Sequence, residues 1–264
     1  MKKELSVAIE AALEAGKAIM EIYESGDFDV TTKGDDSPLT RADLASHEVI
    51  VHYLKTTGIP ILSEEGKAIP FHERKAWKTL WIVDPIDGTK EFIKRNGEFT
   101  VNIALVKSGR PVLGVIFVPV SGDLYFGTVP DGARKATSGS SDWSPQEWMQ
   151  ESQSIPFDQG KRPHTVVASR SHMSAETEDY IEALRDEFGE VELISKGSSL
   201  KLCMVAEGRA DCYPRFAPTM EWDTAAGQAI CTSAGCEVLN WETSEELDYN
   251  REDLLNPWFL VRRL

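Results

Sequence analysis

The segment WIVDPIDGT, residues 81–89, carries the strongest structural signal in this 264-residue chain. The apolar run from Leu80 to Val83 predicts a strand that is covered on both faces. The strand is expected to stop at Asp84, which shares one turn with Asp87. A proline stiffens that turn and a glycine permits tight backbone geometry after it, so the two carboxylates can face the same point. Asp-Pro and Asp-Gly pairs are also common turn formers, so a turn without a ligand is the alternative.

Helices and strands can be predicted around this segment from hydrophobic periodicity and turn signals. Helical spacing indicates a long first helix from about Leu5 and a second one that Thr40 opens and that runs to about Lys55. Strands are predicted at 60–63, 80–83, 99–106, 111–118, 165–168, 191–194 and 210–213, and further helices at 175–188, 199–207 and 223–234. This pattern is typical of an α+β or a layered α/β fold with two sheets.

The segment 132–160 is rich in Ser, Gly, Pro, Gln and Trp and has poor periodicity, which indicates a domain junction with an irregular insertion. We therefore expect two domains. Residues 1–132 would form an N-terminal α+β domain that carries most of the candidate metal ligands. Residues 133–264 would form a C-terminal α/β domain that carries the substrate-binding segments and the last ligand.

Composition excludes several function classes. A net charge of -15 argues against nucleic-acid polymers as partners, because their phosphates attract basic faces. No run of eighteen apolar residues is present, so no membrane span is predicted. The four cysteines form no C-x-x-C pair, which favours reduced thiols in a cytoplasmic protein over a zinc or redox site. An anionic substrate could bind so acidic a chain only where cations intervene.

Acidic residues stand where predicted strands or helices begin or end, and such positions often form sites in layered α/β folds. They are Glu64, Asp84, Asp87 and Asp223. The backbone carbonyl of Ile86 lies between two of them and can add an oxygen ligand. Hard oxygen donors without a nearby His or Cys favour Mg²⁺. In the alternative interpretation Asp223 caps its helix and Asp43 is an acid favoured in a first helical turn.

These motifs together resemble a known family. Residues 61–65 (ILSEE), 81–89 and 221–227 (EWDTAAG), with 37–43 (SPLTRAD), look like the signatures of the inositol monophosphatase superfamily, a group of lithium-sensitive, magnesium-dependent phosphatases. The resemblance spans nearly the whole chain in the right order. It implies a layered αβαβα sandwich with mixed and antiparallel sheets between helix layers.

The resemblance also implies roles for individual residues. Two or three Mg²⁺ ions would be held, the first by Glu64, Asp84 and the Ile86 carbonyl, the second by Asp84, Asp87 and Asp223. Asp43 and Thr89 would orient and deprotonate the attacking water, with Glu65 as a further catalytic residue behind the ligands. The backbone N–H groups of Gly88 and Thr89 would bind the phosphate, beside Glu64, Asp87 and Asp223. Li⁺ is expected to inhibit.

The C-terminal half resembles the 3'(2'),5'-bisphosphate nucleotidase branch of the superfamily, in segments 197–203 (GSSLKLC) and 213–221 (YPRFAPTME). The implied reaction removes the 3'-phosphate of adenosine 3',5'-bisphosphate in sulfate assimilation, with the 5'-phosphosulfate analogue as a further candidate substrate. Ser198 and Ser199, with Lys201 or Arg215, can hold the second phosphate by charge-assisted hydrogen bonds. Alternatively, Ser198 only caps a helix and Lys201 is solvated. Residues 169–172 (SRSH) also match the branch, without a clear role.

Two other functions stay open at this point. The chain could be an inositol monophosphatase or a sugar bisphosphatase on the same scaffold. It could also be a regulatory binder without turnover, although the complete set of acidic residues argues against that. The resemblance implies a cytoplasmic enzyme for a small nucleotide, with possible peripheral association at the inner membrane face, and leaves the oligomeric state open.

Overall fold

The computed structural model describes residues 1–32, 38–137, 143–168 and 174–264. Residues 33–37, which include Ser37 of the quoted early motif, lie outside the described residues. The same holds for the whole of the Ser169-Arg170-Ser171-His172 segment.

Eight helices occur in the described parts of the chain. They are α1 (Lys2–Ser25), α2 (Arg41–Leu54), α3 (Phe71–Arg74), α4 (Thr89–Ile93), α5 (Pro145–Gln150), α6 (Ala175–Phe188), α7 (Leu200–Ala206) and α8 (Glu221–Ser233). A short 3₁₀ turn follows α2 at Lys55–Thr57. The predicted helices are confirmed, with α8 beginning two residues earlier than expected.

The strands form three sheets. They are β1 (Thr31–Thr32), β2 (Pro38–Leu39), β3 (Ile61–Ser63), β4 (Thr79–Asp87), β5 (Thr100–Lys107), β6 (Arg110–Val118), β7 (Asp123–Thr128), β8 (Gly132–Thr137), β9 (Gln153–Ile155), β10 (His164–Ala168), β11 (Val191–Ser195), β12 (Cys212–Arg215), β13 (Cys236–Asn240) and β14 (Phe259–Arg263). Seven run in sequence order from β3 to β9, five have the order β11-β10-β12-β14-β13, and β1 pairs with β2. The larger sheet is antiparallel apart from the parallel β3–β4 pair. The five-stranded sheet is mixed.

Side chains of the large sheet alternate between two cores. On β4, Trp81 and Val83 pack with α1 and α2, whereas Leu80 and Ile82 pack with α7 and α8 on the opposite face. The second core also includes residues of the five-stranded sheet, whose other face packs on α6. The order of layers is therefore helix, sheet, helix, sheet, helix, which confirms the αβαβα sandwich.

Gly114 on β6 brings α8 close to the large sheet. A Cβ atom there would overlap the carbonyl oxygen of Ala226. The missing side chain lets the helix lie against the strand, and this closeness carries the first turn of α8 toward the end of β4.

Within the described residues 132–137 and 143–160, the prediction of an irregular insertion is wrong. These residues contain β8, α5 and β9, and both strands extend the seven-stranded sheet at its edge. The polar composition suits an edge strand, because one face and one side of it meet solvent. The division into domains at residue 132 stays a prediction, and the change from one sheet to the other falls between β9 and β10.

Two expectations from composition can be compared with the structure. All four cysteines are buried and none forms a disulfide. Within the described residues, no helix combines the length and the apolar character needed to cross a membrane.

Candidate active site

The site begins at the end of β4. The strand does not stop at Asp84, as the sequence predicts, but continues to Asp87 with a shift of register between the two aspartates. This irregularity accommodates Pro85, which cannot donate to a regular ladder. Asp84 is opposite Asn102 of β5 and Asp87 is opposite Thr100. Both carboxylates are thus fixed at one end of the large sheet.

Asp84 is a buried carboxylate in an acidic environment. Only 1% of its surface is exposed, and its Oδ1 atom has no hydrogen-bond partner. Burial raises the pKa of Asp84 well above its usual range, and the negative charges of Glu64, Asp87 and Asp223 add to the increase. An unpaired carboxylate oxygen in this setting is costly unless a cation or a proton is present.

Asp223 comes from the opposite layer. It is the third residue of α8, where its Oδ2 atom accepts the Met220 N–H at 2.8 Å. Asp223 is therefore not the N-cap, and its carboxylate is held in place by the first helical turn. Burial raises the pKa of Asp223 to about 8, and the charges of Asp87 and Glu64 contribute.

Asp43 and Thr89 meet as predicted. Asp43 is 1% exposed at the third position of α2, where its Oδ2 atom accepts the backbone N–H of Thr40 at 2.7 Å and its hydroxyl at 2.6 Å. The Thr89 hydroxyl donates to Asp43 Oδ1 at 3.1 Å, so the two side chains are within hydrogen-bond reach. Burial is the main cause of the raised pKa of Asp43, and the charge of Glu65 adds to it. The Asp43 carboxylate therefore both accepts hydrogen bonds at the start of α2 and contacts Thr89.

Gly88 shapes the turn between these groups. Its φ of 97° lies in the left-handed region, and a Cβ atom there would lie 3.1 Å from the Glu98 carbonyl oxygen and 3.3 Å from Ser198 Cβ. A side chain would be strained both by the backbone and by these neighbours. Glycine therefore lets α4 begin at Thr89 with the segment around Ser198 packed against it.

Glu64, Glu65 and Ile86 lie around the same point. The backbone N–H of Glu64 donates to the Val83 carbonyl at 3.1 Å, so the chain after β3 stays beside β4. Glu64 and Glu65 are partly buried, and each raises the pKa of an aspartate of the site. The Ile86 carbonyl accepts the Thr89 hydroxyl at 3.4 Å.

The donor set has the chemistry of a Mg²⁺ site. Among the described residues, no three His, Cys, Asp or Glu side chains are already arranged around a common metal position. However, Glu64, Asp87 and Asp223 all act electrostatically on Asp84, whose Oδ1 has no partner. A cation would provide that partner and offset the repulsion. Carboxylate and carbonyl oxygens are the ligands that Mg²⁺ prefers, so the residues fit this ion after small side-chain adjustments.

A cavity of about 360 Å³ opens beside the acidic cluster. It reaches from Asp87, Gly88 and Asp223 to a group of cationic side chains that the structure brings together. These are Lys90, Lys94, Lys201 and Arg215. We call the part of the lining with Asp87 and Asp223 the acidic end and the part with the four cations the basic end, although Glu91 also lines the cavity and the charges of Asp87 and Asp223 act on Lys201. A lining of both signs suits an anionic molecule with more than one charged group if cations bind at the carboxylates.

Lys201 is not solvated, and that alternative is wrong. It is 6% exposed, and its Nζ donates to the carbonyls of Ser198 at 2.6 Å and Lys196 at 3.3 Å. Burial lowers the pKa of Lys201 to about 8, whereas the charge of Asp87 acts in the opposite direction. An ammonium group has three donors, so one stays available toward the cavity.

The two serines differ in their surroundings. Ser198 has a φ of 42°, and its hydroxyl is buried without a partner. It does not cap α7, because Ser199 is the N-cap residue and forms no side-chain cap bond. The Ser199 hydroxyl is instead 2.7 Å from Asp87 Oδ2.

Unpaired polar atoms are concentrated at this site. Across the described residues, three buried side-chain N or O atoms lack a hydrogen-bond partner: Asp84 Oδ1, Ser198 Oγ and Arg215 Nε. All three belong to residues that the sequence predicts to bind metal or substrate. Because buried polar groups are nearly always satisfied, their coincidence here indicates a place where ligands complete the bonding.

Sequence reasoning missed some residues of the site. Lys90 and Lys94 line the cavity, and Asn102 lies behind Asp87. Nothing in the sequence distinguishes the two lysines from lysines that are simply exposed on the surface. Asn102 left a readable signal, because it interrupts the otherwise apolar strand TVNIALV at 100–106.

Comparison with known proteins agrees with this geometry. The model of the inositol monophosphatase family matches residues 1–258. The 3'(2'),5'-bisphosphate nucleotidase CysQ of Escherichia coli O157:H7 is 45% identical over 261 residues, which cover 97% of this chain and 98% of that protein.

Solved structures support the same relationship. CysQ from Bacteroides thetaiotaomicron, a bacterial member of the inositol monophosphatase family, has 54% identity and a TM-score of 0.91, covering 100% of this chain and 98% of its own. The extragenic suppressor protein SuhB from Bartonella henselae, at 24% identity and a TM-score of 0.74 over 99% and 94% of the two chains, shares the fold. This chain belongs to the inositol monophosphatase family.

Proposed function

We propose that this protein is a Mg²⁺-dependent 3'(2'),5'-bisphosphate nucleotidase, which hydrolyses adenosine 3',5'-bisphosphate to AMP and inorganic phosphate. The observation that carries the proposal is that the acidic cluster lies beside the cavity and that both contain buried polar atoms without a hydrogen-bond partner. These atoms are Asp84 Oδ1 in the cluster, and Ser198 Oγ and Arg215 Nε in residues that line the cavity. The similarity to CysQ proteins over nearly the whole chain supports it.

The acidic end would hold the 3'-phosphate through metal. Glu64, Asp84 and the Ile86 carbonyl would bind one Mg²⁺, and Asp84, Asp87 and Asp223 a second. When bound, these ions supply the charge neutralisation that phosphate ester hydrolysis needs, at the phosphoryl oxygens and at the leaving oxygen. The backbone N–H groups of Gly88 and Thr89 are proposed to help hold the phosphate.

The Asp43–Thr89 pair would handle the proton of the attacking water. A water that approaches Thr89 Oγ1 can transfer a proton to it while the threonine passes its own to Asp43 Oδ1, 3.1 Å away. The raised pKa of Asp43 favours accepting that proton. The water oxygen then bonds to phosphorus, the bond to the 3'-oxygen breaks, and that oxygen takes up a proton to give AMP. Glu65 is proposed to support the pair electrostatically.

The basic end of the cavity would hold the 5'-phosphate. Lys201 and Arg215 are the most enclosed of its cations, and Lys90 and Lys94 lie at its mouth. Ser198 can add a hydroxyl donor from the same wall. Such charge-assisted hydrogen bonds are shorter and stronger than neutral ones, and they would discriminate a bisphosphate from a monophosphate.

The first prediction concerns substrate choice. We expect kcat/KM for adenosine 3',5'-bisphosphate to exceed the values for AMP and inositol 1-phosphate by at least about tenfold to a hundredfold, because a charge-assisted contact contributes about 1.5–3 kcal/mol. Arg215→Met should lower kcat/KM on the bisphosphate by a similar factor and leave that on inositol 1-phosphate nearly unchanged. Phosphate release measures all three substrates.

The matched control is Arg209→Met, which removes an exposed arginine outside the cavity lining. It should leave all three rates near wild type. Equal or better turnover of inositol 1-phosphate by the wild-type enzyme would contradict the nucleotidase assignment and favour the sibling activity.

The second prediction is a pH dependence. Because the pKa of Lys201 is about 8, this side chain is charged below that pH and loses its charge above it. We therefore expect kcat/KM for the bisphosphate to fall by about tenfold between pH 7 and pH 9.5, as one charge-assisted contact is lost. In Lys201→Met, kcat/KM should already be low at pH 7 and should lack this decrease. Profiles of the two proteins with the same slope above pH 8 would rule out Lys201 as the titrating group.

Further features of the family remain proposals for this chain. They are inhibition by Li⁺, hydrolysis of the 5'-phosphosulfate analogue, a role in sulfate assimilation, and a cytoplasmic location.

A further inference from the structure

A chain of buried hydrogen bonds connects the large sheet to the middle helix layer behind the proposed metal site. Its members are Thr100 and Asn102 of β5, Ser199 at the start of α7, Asp87 of β4 and Asp223 of α8. Thr100 and Asn102 are 0% exposed and Ser199 is 1% exposed. They are therefore shielded from solvent, and Ser199 is the one of the three that also lines the cavity.

The donors and acceptors along this chain can be assigned. Thr100 Oγ1 donates to Asn102 Oδ1 at 2.9 Å, which fixes the amide so that Nδ2 points to Ser199 Oγ at 2.8 Å and to Asp87 Oδ2 at 3.4 Å. Ser199 Oγ thus accepts from Asn102. Its single proton goes to Asp87 Oδ2 at 2.7 Å or to the Asp223 carbonyl at 2.8 Å.

Ser199 has no hydroxyl proton left for a substrate. The carboxylate of Asp87 is the stronger acceptor of the two, because it is charged. The carbonyl of Asp223, at 2.8 Å, is the alternative acceptor, and its closeness places Ser199 between the end of β4 and the first turn of α8. The substrate contact that the sequence predicts for Ser199 stays a prediction, since Ser199 also lines the cavity.

We infer that Asn102 and Ser199 are positioning residues, which fix the Asp87 carboxylate relative to the first turn of α8 so that Asp87 and Asp223 can bind one cation. The inference rests on the proposed function, since it assigns these two aspartates to a metal. Both residues are proposed to act through Asp87, and because Ser199 also lines the cavity, the kinetic test below separates positioning from direct substrate contact. Partners of this kind orient ligating carboxylates, and their loss typically weakens metal binding or activity about 10–100-fold.

Titration with Mn²⁺ in the absence of substrate, followed by the electron paramagnetic resonance signal of the free ion, tests the inference. Ser199→Ala and Asn102→Ala should each weaken Mn²⁺ binding about 10–100-fold. Asn102 and Ser199 are the two partners of one hydrogen bond, so either variant can serve the test if the other one does not fold. Ser152→Ala is the matched control, because that buried hydroxyl also has two partners, Arg134 Nε and the Met149 carbonyl, on the edge of the sheet.

Steady-state kinetics separate the possible outcomes. The inference predicts that the Mg²⁺ concentration for half-maximal rate rises in Ser199→Ala, while KM for the bisphosphate at saturating Mg²⁺ stays within about threefold of wild type, roughly 0.7 kcal/mol. Unchanged Mn²⁺ affinity in Ser199→Ala would overturn the inference alone, and a raised KM with it would show direct substrate contact. A wild-type protein that binds no Mn²⁺ would overturn the proposed function as well.

Discussion

Asp84→Asn is expected to lower kcat on the bisphosphate by about 10³-fold or more. Asp84 is the residue proposed to ligate both metals, and the charge stabilisation that such ions supply is worth several kcal/mol, with each 1.36 kcal/mol equal to a factor of ten. An amide retains the shape of the side chain but removes the negative charge that a cation would balance. Phosphate release at saturating substrate and Mg²⁺ measures the effect.

Whereas its activity should fall, the metal-free Asp84→Asn variant should be at least as stable as the wild type. The raised pKa means that folded, metal-free protein retains a proton on Asp84 over a pH range in which the unfolded chain has lost it. The free energy of unfolding therefore falls as pH rises above the ordinary aspartate pKa of about 3.9. Asparagine avoids this loss, so at pH 7 the metal-free variant should unfold at the same temperature as the wild type or higher, and Mg²⁺ should no longer stabilise it.

Asp131→Asn provides the control for both measurements, since Asp131 is exposed and accepts the Thr128 hydroxyl on a surface turn. It should keep wild-type turnover and wild-type stabilisation by Mg²⁺. Near wild-type activity of Asp84→Asn at limiting Mg²⁺ would mean that Asp84 is a turn former and not a ligand.

Thr89→Ala is expected to lower kcat by about 10²–10⁴-fold, the range typical of losing a positioned proton-transfer group. Thr89→Ser retains the hydroxyl that donates to Asp43 and should stay within about tenfold of wild type. Asp43→Asn should resemble Thr89→Ala. The double variant should be little worse than either single one, because residues that act as a unit are not additive.

Rates at saturating substrate and Mg²⁺ test the pair, and thermal unfolding serves as the second measurement. Asp43 also accepts two hydrogen bonds from Thr40 at the start of α2, so Asp43→Asn should cost about 1 kcal/mol of stability, whereas Thr89→Ser should cost less. Additive losses in the double variant, or full activity of Thr89→Ala, would show that the two residues do not share a proton.

The fold could be predicted from sequence wherever one chain segment carries its own signal. The periodicity of α1, the capping residue Thr40 of α2 and the apolar run of β4 all gave elements close to those observed. The family motifs gave the order of layers. The meeting of Asp43 and Thr89 across 46 positions also followed from the motifs, although the local sequence contains nothing that would place them together.

Strands with weak local signals were missed. β7 follows the turn at Gly122 and is only six residues long, β13 is partly polar, and β14 is a short strand of five residues that lies between β12 and β13. The edge strand β9 and its neighbour β8 have a composition that resembles a loop. Pairing partners distant in sequence decide these elements, and periodicity within a short window does not contain that information.

The basic end of the cavity could be predicted only in part. Arg215 and Lys201 followed from segments that match a nucleotidase branch, whereas the burial of Lys201 and its bonds to two carbonyls depend on how the loop 196–199 folds back. The hydrogen bond between Ser199 and Asp87 depends on how the start of α7 packs against the large sheet, and no sequence motif encodes that packing.

The acids of the proposed active site come from different layers, so the site is complete only after the chain has been synthesised and its layers have packed together. Asp43 comes from the outer helix layer, Asp84 and Asp87 from the sheet, and Asp223 from the middle helix layer. During synthesis the last of these acids appears only after 222 of 264 residues have been made. A nascent or partly unfolded chain therefore lacks the complete set of acids of the proposed Mg²⁺ site, and we expect it neither to bind Mg²⁺ there nor to hydrolyse nucleotides before its layers have packed together. Metal that binds the assembled site in turn stabilises the assembled state by mass action.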